Sequence, residues 1–221
     1  MNRPWRGLYA ITPDIPAETP DSADRRLIAQ VTQAITGGAR LIQYRAKGLD
    51  AARRRAQAAA LARLCDATGI PLIINDDLEL ALTVGAAGVH LGRDDGDPAA
   101  ARRRLGAGAI IGVSCYDSLD LALTAAASGA SYVAFGSFFP STIKPRAARP
   151  TPNLLTQARA RIAVPLVAIG GITPQNARLL IAAGADLLAV ITGVFAAPDV
   201  AAAARAFSQQ FEPGLRPPEH P

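Results

Sequence analysis

The sequence has little of what marks a secreted, disulfide-bonded or membrane protein. Its two cysteines, Cys65 and Cys115, are too few for a disulfide framework and favour a reducing compartment. No apolar run approaches the ~20 residues of a membrane helix. The first residues lack the apolar core of a signal peptide. These absences predict a soluble cytoplasmic protein with no membrane partner.

Aromatic residues are also scarce, at 5% of the 221 positions, although 50% of the chain is hydrophobic. The core must therefore be built mainly from Ala, Leu, Ile and Val, which suits helices packed on a parallel sheet. A chain of this length fits one barrel domain, which we place at residues 1–211. Residues 212–221 are rich in proline and polar groups, so we expect a disordered tail.

Positive charge is in excess, with a net charge of +5 and a pI near 9.8. A basic balance can indicate a nucleic-acid partner. Much of the excess lies in two arginine runs, 53–55 and 102–104, in predicted helices without interleaved aromatic residues that could stack on bases. We interpret both runs as solvated helix faces and expect no nucleic-acid partner; a non-catalytic basic protein that binds nucleic acid is the alternative.

Short apolar runs alternate with longer helical patterns along the chain. Such alternation indicates βαβ units and a parallel sheet. Eight such units predict a single (βα)8 TIM barrel of the α/β class, with an open doubly wound sheet as the alternative. The predicted strands are 7–11, 40–44, 71–75, 88–91, 109–113, 132–135, 165–169 and 187–191.

Capping residues mark the ends of the predicted helices. Asp50 is placed to cap a helix that Gly69 ends, because glycine readily takes the left-handed conformation found there. Thr173 followed by Pro174 is typical of an N-cap and a first helical position.

Polar side chains follow the second predicted strand, at the end of the barrel where such folds place their active sites. Gln43, Arg45 and Lys47 alternate along the chain and therefore share a direction, into the barrel mouth. Two cations and an amide beside apolar residues favour an anionic ligand; a surface cluster that closes the strand is the alternative.

Carboxylates follow the third and fourth predicted strands. Asp76 and Asp95 can face each other across adjacent strand ends, and Mg²⁺ prefers a few carboxylates completed by phosphate oxygens and water. We interpret Asp77 and Asp97 as helix caps, because each comes just before a predicted helix. The sequence therefore predicts a magnesium-bound polyphosphate at this rim.

Three residues with reactive side chains lie near the same rim. His90, within the fourth strand, is interpreted as a packed, hydrogen-bonded residue. Cys115, which we place after the fifth strand, would need His90 as its base, and no spacing supports that nucleophile pair. Ser114 could either donate to a phosphate or simply end the strand.

Two glycine-containing loops predict a second anion site. Segments 170–174 and 191–193 follow strands seven and eight, where barrels commonly bind phosphate through backbone N–H groups; tight turns that need glycine are the alternative. The long loop 136–152 is expected to be a lid, and its Lys144 could close over the first anion site.

Taken together, these residues resemble the thiamine-phosphate synthase family, also called thiamine-phosphate pyrophosphorylase. The likeness spans about residues 8–195. It rests on GLYAIT at 7–12, QYRAK at 43–47, INDD at 74–77, VHLG at 89–92, IGVS at 111–114, FGSFFP at 135–140 with Lys144, and IGGI at 169–172.

The resemblance implies an Mg²⁺-dependent enzyme that joins hydroxymethylpyrimidine diphosphate to thiazole phosphate, with diphosphate leaving first. Asp76 and Asp95 would bind the metal, and the catalytic residues would be Arg45, Lys47 and Lys144. The pyrimidine diphosphate would contact Gln43, Tyr44, Arg45, Ala46, Lys47, Asn75, Ser114 and Lys144, and the thiazole phosphate would contact Ser141, Thr142, Gly171, Ile191 and Thr192.

The sequence departs from the family pattern at three positions. Arg93 adds a cation near Asp95, Ile143 replaces a hydroxyl residue, and Tyr116 stands where many relatives have histidine. A thiazole tautomerase of the TenI type shares the barrel and is the closest alternative. The retained cations and carboxylates favour the synthase, because a tautomerase has no diphosphate to expel. The partners expected are the two small-molecule substrates, and a homo-oligomer is left open.

Overall fold

Eight parallel strands form a closed barrel in the computed structural model, which describes residues 5–14, 20–140 and 149–212. The first strand closes the barrel by pairing with the last. In chain order, β1 to β8 are Gly7–Ile11, Ala39–Tyr44, Leu72–Asn75, Gly88–Leu91, Ile110–Tyr116, Tyr132–Phe135, Leu166–Ile169 and Leu187–Val190. The predicted (βα)8 barrel is confirmed, and the open doubly wound sheet is excluded.

Helices follow the strands, and the predicted caps are in place. Asp50 Oδ1 accepts from the N–H of Arg53 at 2.9 Å, and Gly69 has φ 67°. Thr173 forms a capping box with Asn176. Within the described ranges, no helix is long and apolar enough to cross a membrane. From α1 to α9 the helices are Pro20–Thr36, Ala51–Thr68, Leu78–Val84, Pro98–Leu105, Leu119–Ala127, Asn153–Arg161, Pro174–Ala182, Thr192–Phe195 and Val200–Ser208, followed by the 3₁₀ turn Gln209–Phe211.

Alternation along the strands divides the apolar residues between two cores. One set fills the lower barrel interior, and a larger set packs the outside of the strands against the helices. The interior set is Tyr9, Ile11, Leu41, Ile73, Ile110, Tyr132, Ala134, Val167, Leu187 and Ala189. Polar side chains replace this packing toward the carboxyl ends of the strands, which leaves room there for a site.

The fifth strand is longer than predicted, so the placement of Cys115 after it is wrong. β5 continues to Tyr116 through an irregularity between Ser114 and Tyr116, because its pairing with β6 extends that far. The N–H of Gly136 bonds to the carbonyl of Tyr116 at 2.9 Å. Tyr116 itself has a positive φ of 55°. The bulge turns the strand end, and Ser114 and Tyr116 both face the barrel mouth.

The interpretation of the arginine runs as solvated faces is only partly right. Arg55, Arg103 and Arg104 are exposed, as expected, but Arg53, Arg54 and Arg102 are only partly exposed. Four of the six guanidinium groups, that of Arg104 included, have intramolecular partners, because neighbouring elements present acceptors to them. Arg53 pairs with Asp24, Arg54 with Asp77, Arg104 with Glu79, and Arg102 bonds to several carbonyls and Ser131.

Some predicted features lie outside the described residues. These include Ser141, Thr142 and Lys144 of the predicted lid, and residues 213–221 of the predicted tail. The lid, the tail and the domain boundary at residue 211 therefore stay predictions.

Candidate active site

A cavity of about 730 Å³ opens at the carboxyl ends of the strands. Strand ends from around the whole barrel contribute to its lining, so residues distant in sequence meet there. The predicted site residues that line it are Gln43, Arg45, Lys47, Asn75, Asp76, Asp95, Ser114, Gly171, Ile191 and Thr192.

Two residues of the QYRAK segment have side chains that do not line this cavity. Tyr44 is buried on the outer side of the barrel, where its hydroxyl donates to Gln57 Oε1 at 2.7 Å. Ala46 packs against the same outer core. Alternation along β2 explains this, since Gln43, Arg45 and Lys47 take the inward positions. Only the backbone of Tyr44 and Ala46 is left for the predicted substrate contact.

The two cations after β2 are held by a carboxylate that sequence reasoning missed. Asp14, from the loop after β1, accepts from Arg45 Nη1 at 2.5 Å through Oδ2 and from the backbone N–H of Lys47 at 2.6 Å through Oδ1. Thr12 Oγ1 accepts from the N–H of Arg45 at 2.9 Å and donates to its carbonyl at 3.1 Å. The loop after β1 thus holds the Arg45 guanidinium and the backbone of both residues at the rim.

The predicted carboxylate pair is present beside these cations. Asp76 follows β3 with φ 64°, in the left-handed region that aspartate tolerates better than most residues. Its N–H bonds to the carbonyl of His90 at 2.8 Å, and its Oδ2 lies 3.2 Å from Lys47 Nζ. Asp95 Oδ2 accepts from the N–H of Gly92 at 2.8 Å. Partial burial and the hydrogen-bonded carboxyl group of Asp76 raise the pKa of Asp95.

This pair of carboxylates suits a magnesium ion whose remaining ligands come from the substrate and water. Two carboxylates in contact repel each other when both are ionised, and a divalent cation between them removes that penalty. Within the described part of the chain, no group of three or more His, Cys, Asp or Glu could hold a metal by itself. Mg²⁺ commonly takes one or two carboxylates together with phosphate oxygens and water, so the donor set suits it.

A chain of hydrogen-bonded side chains crosses the floor of the cavity. Gln43 Nε2 donates to Tyr9 Oη at 2.7 Å, and the hydroxyls of Tyr9 and Tyr132 lie 2.7 Å apart. His90 Nδ1 lies 2.9 Å from Tyr132 Oη, and its Nε2 lies 2.8 Å from Ser114 Oγ. The prediction that His90 is a packed, hydrogen-bonded residue is confirmed.

Burial keeps the two tyrosines of this chain uncharged. It raises the pKa of both Tyr9 and Tyr132 above the ordinary tyrosine value, so both phenols stay protonated well into the alkaline range. The Tyr9 and Tyr132 rings meet edge to face at 5.7 Å between centroids, and His90 stacks on Tyr132 at the same distance. Such a floor can recognise a neutral heteroaromatic ring by ring contact and hydrogen bonds.

Cys115 takes no part in the site. Its side chain is fully buried on the outer side of β5, and burial raises its thiol pKa to about 12. His90 instead has its ring nitrogens beside Tyr132 and Ser114. The nucleophile pair that the sequence failed to support is therefore absent, and Ser114 is a cavity residue.

The opposite side of the cavity is formed by the loops after β7 and β8. A Cβ on Gly170 would lie 1.8 Å from Ser137 Oγ, and one on Gly171, with φ 62°, would lie 2.3 Å from the Pro140 carbonyl. The N–H of Phe139 bonds to the carbonyl of Gly170 at 3.0 Å. Both glycines are therefore needed where the β6 loop packs closely against the β7 loop.

Sequence reasoning missed Tyr9, Tyr132 and Asp14. Tyr9 and Tyr132 lie inside predicted strands, where the sequence suggests that they are ordinary core residues. Only the closed barrel brings their two hydroxyls into hydrogen-bond distance. One sequence signal could have identified Tyr9. It occupies an inward position on the strand next to that of Gln43, so the two side chains could be expected to meet.

Comparison with known proteins places this site in a family. The family model described as thiamine monophosphate synthase matches residues 8–194. The thiamine-phosphate synthase of Chromobacterium violaceum is 57% identical over 205 residues, covering 93% of this chain and 96% of that protein. That of Azoarcus sp. strain BH72 is 55% identical over 211 residues, covering 96% of this chain and 100% of that protein.

Solved structures with similar folds support the same family assignment. The thiamine phosphate pyrophosphorylase of Pyrococcus furiosus matches with a TM-score of 0.79 at 31% identity, over 92% of this chain and 94% of that one. A 3-hexulose-6-phosphate synthase matches with a TM-score of 0.66 at 16% identity, over 92% of this chain and 99% of that one, which shows the fold alone. The chain belongs to the thiamine monophosphate synthase family.

Proposed function

We propose that this chain is a thiamine-phosphate synthase, which joins hydroxymethylpyrimidine diphosphate to thiazole phosphate and releases diphosphate. One observation carries the proposal: Arg45, Lys47, Asp76 and Asp95 meet at one rim of a cavity whose floor is aromatic and hydrogen-bonding. A substrate with an uncharged ring at one end and a diphosphate at the other matches that arrangement. Relatives more than half identical carry the same name.

The pyrimidine ring is assigned to the floor. The Tyr9 hydroxyl, the Gln43 amide and Ser114 line the cavity and offer donors and acceptors to ring nitrogens and an amino group, while the buried Tyr132 hydroxyl holds Tyr9 and His90 from beneath. Asn75, which ends β3 next to Asp76 and lines the cavity, is assigned to the same substrate.

The diphosphate is assigned to the rim above. Arg45 and Lys47 would bind its oxygens, and Asp76 and Asp95 would hold Mg²⁺ beside them. When bound, the metal neutralises charge that develops on the leaving group. The C–O bond to the diphosphate breaks with both electrons going to that oxygen, and the thiazole nitrogen lone pair then forms the new C–N bond. No proton is transferred in either step, so the reaction needs no general acid or base from the floor of the cavity.

The thiazole phosphate is assigned to the loops after β7 and β8. Gly171, Ile191 and Thr192 line the cavity there, across the barrel from the carboxylates. The roles that we propose for Ser141, Thr142 and Lys144 rest on the sequence alone.

We propose a cytoplasmic location from the composition of the chain. Both cysteines are free thiols, which supports that location.

The test is synthesis by the purified full chain. Incubated with both substrates and Mg²⁺, it should form thiamine phosphate and diphosphate in equal amounts, measured by chromatography, and omitting either substrate should abolish both. Thiazole tautomer interconversion without C–N bond formation would instead support the tautomerase alternative.

A further inference from the structure

Arg93 is a cation of the site that the function above leaves unused. It follows β4, lines the cavity, and its guanidinium carbon lies 5.0 Å from the ring centroid of Tyr116. The backbone N–H of Arg93 also donates to the hydroxyl of Tyr116 at 3.3 Å. Two contacts from one tyrosine therefore hold Arg93 beside the cavity.

Arg93 differs from the other two rim cations, Arg45 and Lys47, in its ion pairing among the residues that the structure describes. Arg45 pairs with Asp14, and Lys47 pairs with Asp76. Across the described parts of the chain, Arg93 has no ion pair. The nearby Asp95 turns its Oδ2 back to the N–H of Gly92 and faces Asp76.

A cation–π contact of this kind leaves the N–H groups of the guanidinium available to other acceptors. An arginine that lies over an aromatic face directs its N–H groups outward in its own plane, where they match phosphate oxygens. The ring also limits the conformations of the side chain, which lowers the entropy lost on binding. Tyr116 keeps a left-handed backbone, uncommon for a bulky residue, at the point where it supports Arg93.

Position in the barrel indicates which anion Arg93 meets. β4 and β8 lie four places apart in the closed order of eight strands, so they are on opposite sides. Arg93 is on the same loop as Asp95, whose carboxyl group contacts that of Asp76, and this loop is away from the loops after β7 and β8. A diphosphate held at the carboxylate rim is within its reach, whereas the thiazole phosphate is not.

We propose that Arg93, supported by Tyr116, is an additional binding residue for the diphosphate group of the pyrimidine substrate and for the released diphosphate. The inference rests on the proposed function. It also accounts for two departures from the family pattern together, since the added cation and the ring that supports it contact each other.

The first test measures binding of inorganic diphosphate in the presence of Mg²⁺ by calorimetry. Arg93→Gln should weaken this binding about tenfold, the size expected for loss of a charge-assisted hydrogen bond. Arg103→Gln is the matched control: it removes the same charge from an exposed position on α4 and should change affinity less than about twofold. Equal affinity in the two variants would overturn the proposal.

Steady-state kinetics supply a second readout. Arg93→Gln should raise KM for the pyrimidine diphosphate and leave KM for the thiazole phosphate unchanged; the reverse pattern would contradict the assignment. If the wild-type chain makes thiamine phosphate while both arginine variants behave alike, only the role of Arg93 fails. If the wild type neither binds diphosphate nor makes product, the proposed function fails as well.

A double-mutant cycle tests the support from Tyr116. Tyr116→Asn removes the ring while keeping a residue that tolerates positive φ. It should weaken diphosphate binding several-fold when Arg93 is present and have no further effect in Arg93→Gln. Independent, additive effects would overturn the role of Tyr116.

Discussion

The ammonium group of Lys47 lies 3.2 Å from Oδ2 of Asp76, so the cation of one strand end directly contacts the carboxylate of the next. This contact joins the diphosphate-binding and metal-binding parts of the proposed site. A change in Asp76 should therefore affect both parts at once.

Asp76→Asn should lower the maximal rate by about 10²–10³-fold and raise the Mg²⁺ concentration needed for half-maximal rate, because the leaving group loses electrostatic stabilisation. Rates measured across a Mg²⁺ titration check this. Asp77→Ser is the control: it changes the adjacent carboxylate but keeps an oxygen to cap α3, where Asp77 Oδ1 accepts from the N–H of Leu80 at 2.9 Å. An unchanged Mg²⁺ response in Asp76→Asn would remove Asp76 from the metal site.

Asp14→Ala should lower kcat/KM for the pyrimidine diphosphate by about tenfold, because Arg45 and the backbone of Lys47 lose the group that positions them. KM for the thiazole phosphate should not change. Asp66→Ala, an exposed carboxylate on α2, supplies the charge-matched control. Equal kinetics in the two variants would show that Asp14 does not position the cations.

Tyr132→Phe should reduce the free energy of unfolding by ~1–3 kcal/mol, because Tyr9 and His90 both lose a buried hydrogen-bond partner. It should also raise KM for the pyrimidine diphosphate. Tyr44→Phe removes a similarly buried hydroxyl, bonded to Gln57 outside the cavity, and should destabilise without changing KM. Urea unfolding and steady-state kinetics on both variants separate packing from recognition.

The two thiols should resist modification in the native protein. Burial raises the pKa of Cys65 and Cys115 to about 12, so both are protonated at pH 8. Because the folded pKa exceeds the unfolded value, their contribution to stability is complete below about pH 8.5. It is lost as pH rises toward 12, at up to ~1.4 kcal/mol per pH unit for each thiol. Iodoacetamide labelling followed by mass spectrometry, with and without urea, checks this; rapid labelling without urea would contradict it.

Asp186 should be a strong determinant of stability at the opposite end of the barrel. It is buried, pairs with Arg159, and its Oδ2 accepts from the N–H of Leu166 at 2.8 Å. Asp186→Ala should cost ~3–5 kcal/mol of unfolding free energy, because the partly buried Arg159 and the buried N–H of Leu166 both lose their partner. Glu79→Ala breaks the exposed pair with Arg104 and should leave the unfolding midpoint unchanged. Equal midpoints in both variants would refute the distinction.

The barrel was predictable because its signals are local. Asp50, Gly69, Asp77 and Thr173 act within a few residues of themselves, and all occur where the sequence predicted them. The end of β5 was not predictable, since the strand continues to Tyr116 only because β6 offers partners that far. The arginine runs were misread in part for the same reason: Asp24, Asp77 and Glu79 come from other elements.

The candidate site also has a part that local patterns predict and a part that only tertiary contacts determine. Period-two alternation correctly placed Gln43, Arg45 and Lys47 on the cavity side, and it also explains why the side chain of Tyr44 lies elsewhere. The Tyr9–Tyr132 contact joins residues 123 positions apart, and no local pattern reports such a pair.

By itself, the sequence determined the order of strands and helices, the helix ends, and the rim to which each polar cluster belongs. These depend on alternation, turn chemistry and the shared direction of parallel strands. Only the tertiary structure decided that Asp14 holds Arg45, that two tyrosines and a histidine are hydrogen-bonded across the floor, and that the Arg93 guanidinium lies over the ring of Tyr116. Those relationships arise when barrel closure brings distant strand ends within hydrogen-bond distance, which is a property of three-dimensional packing.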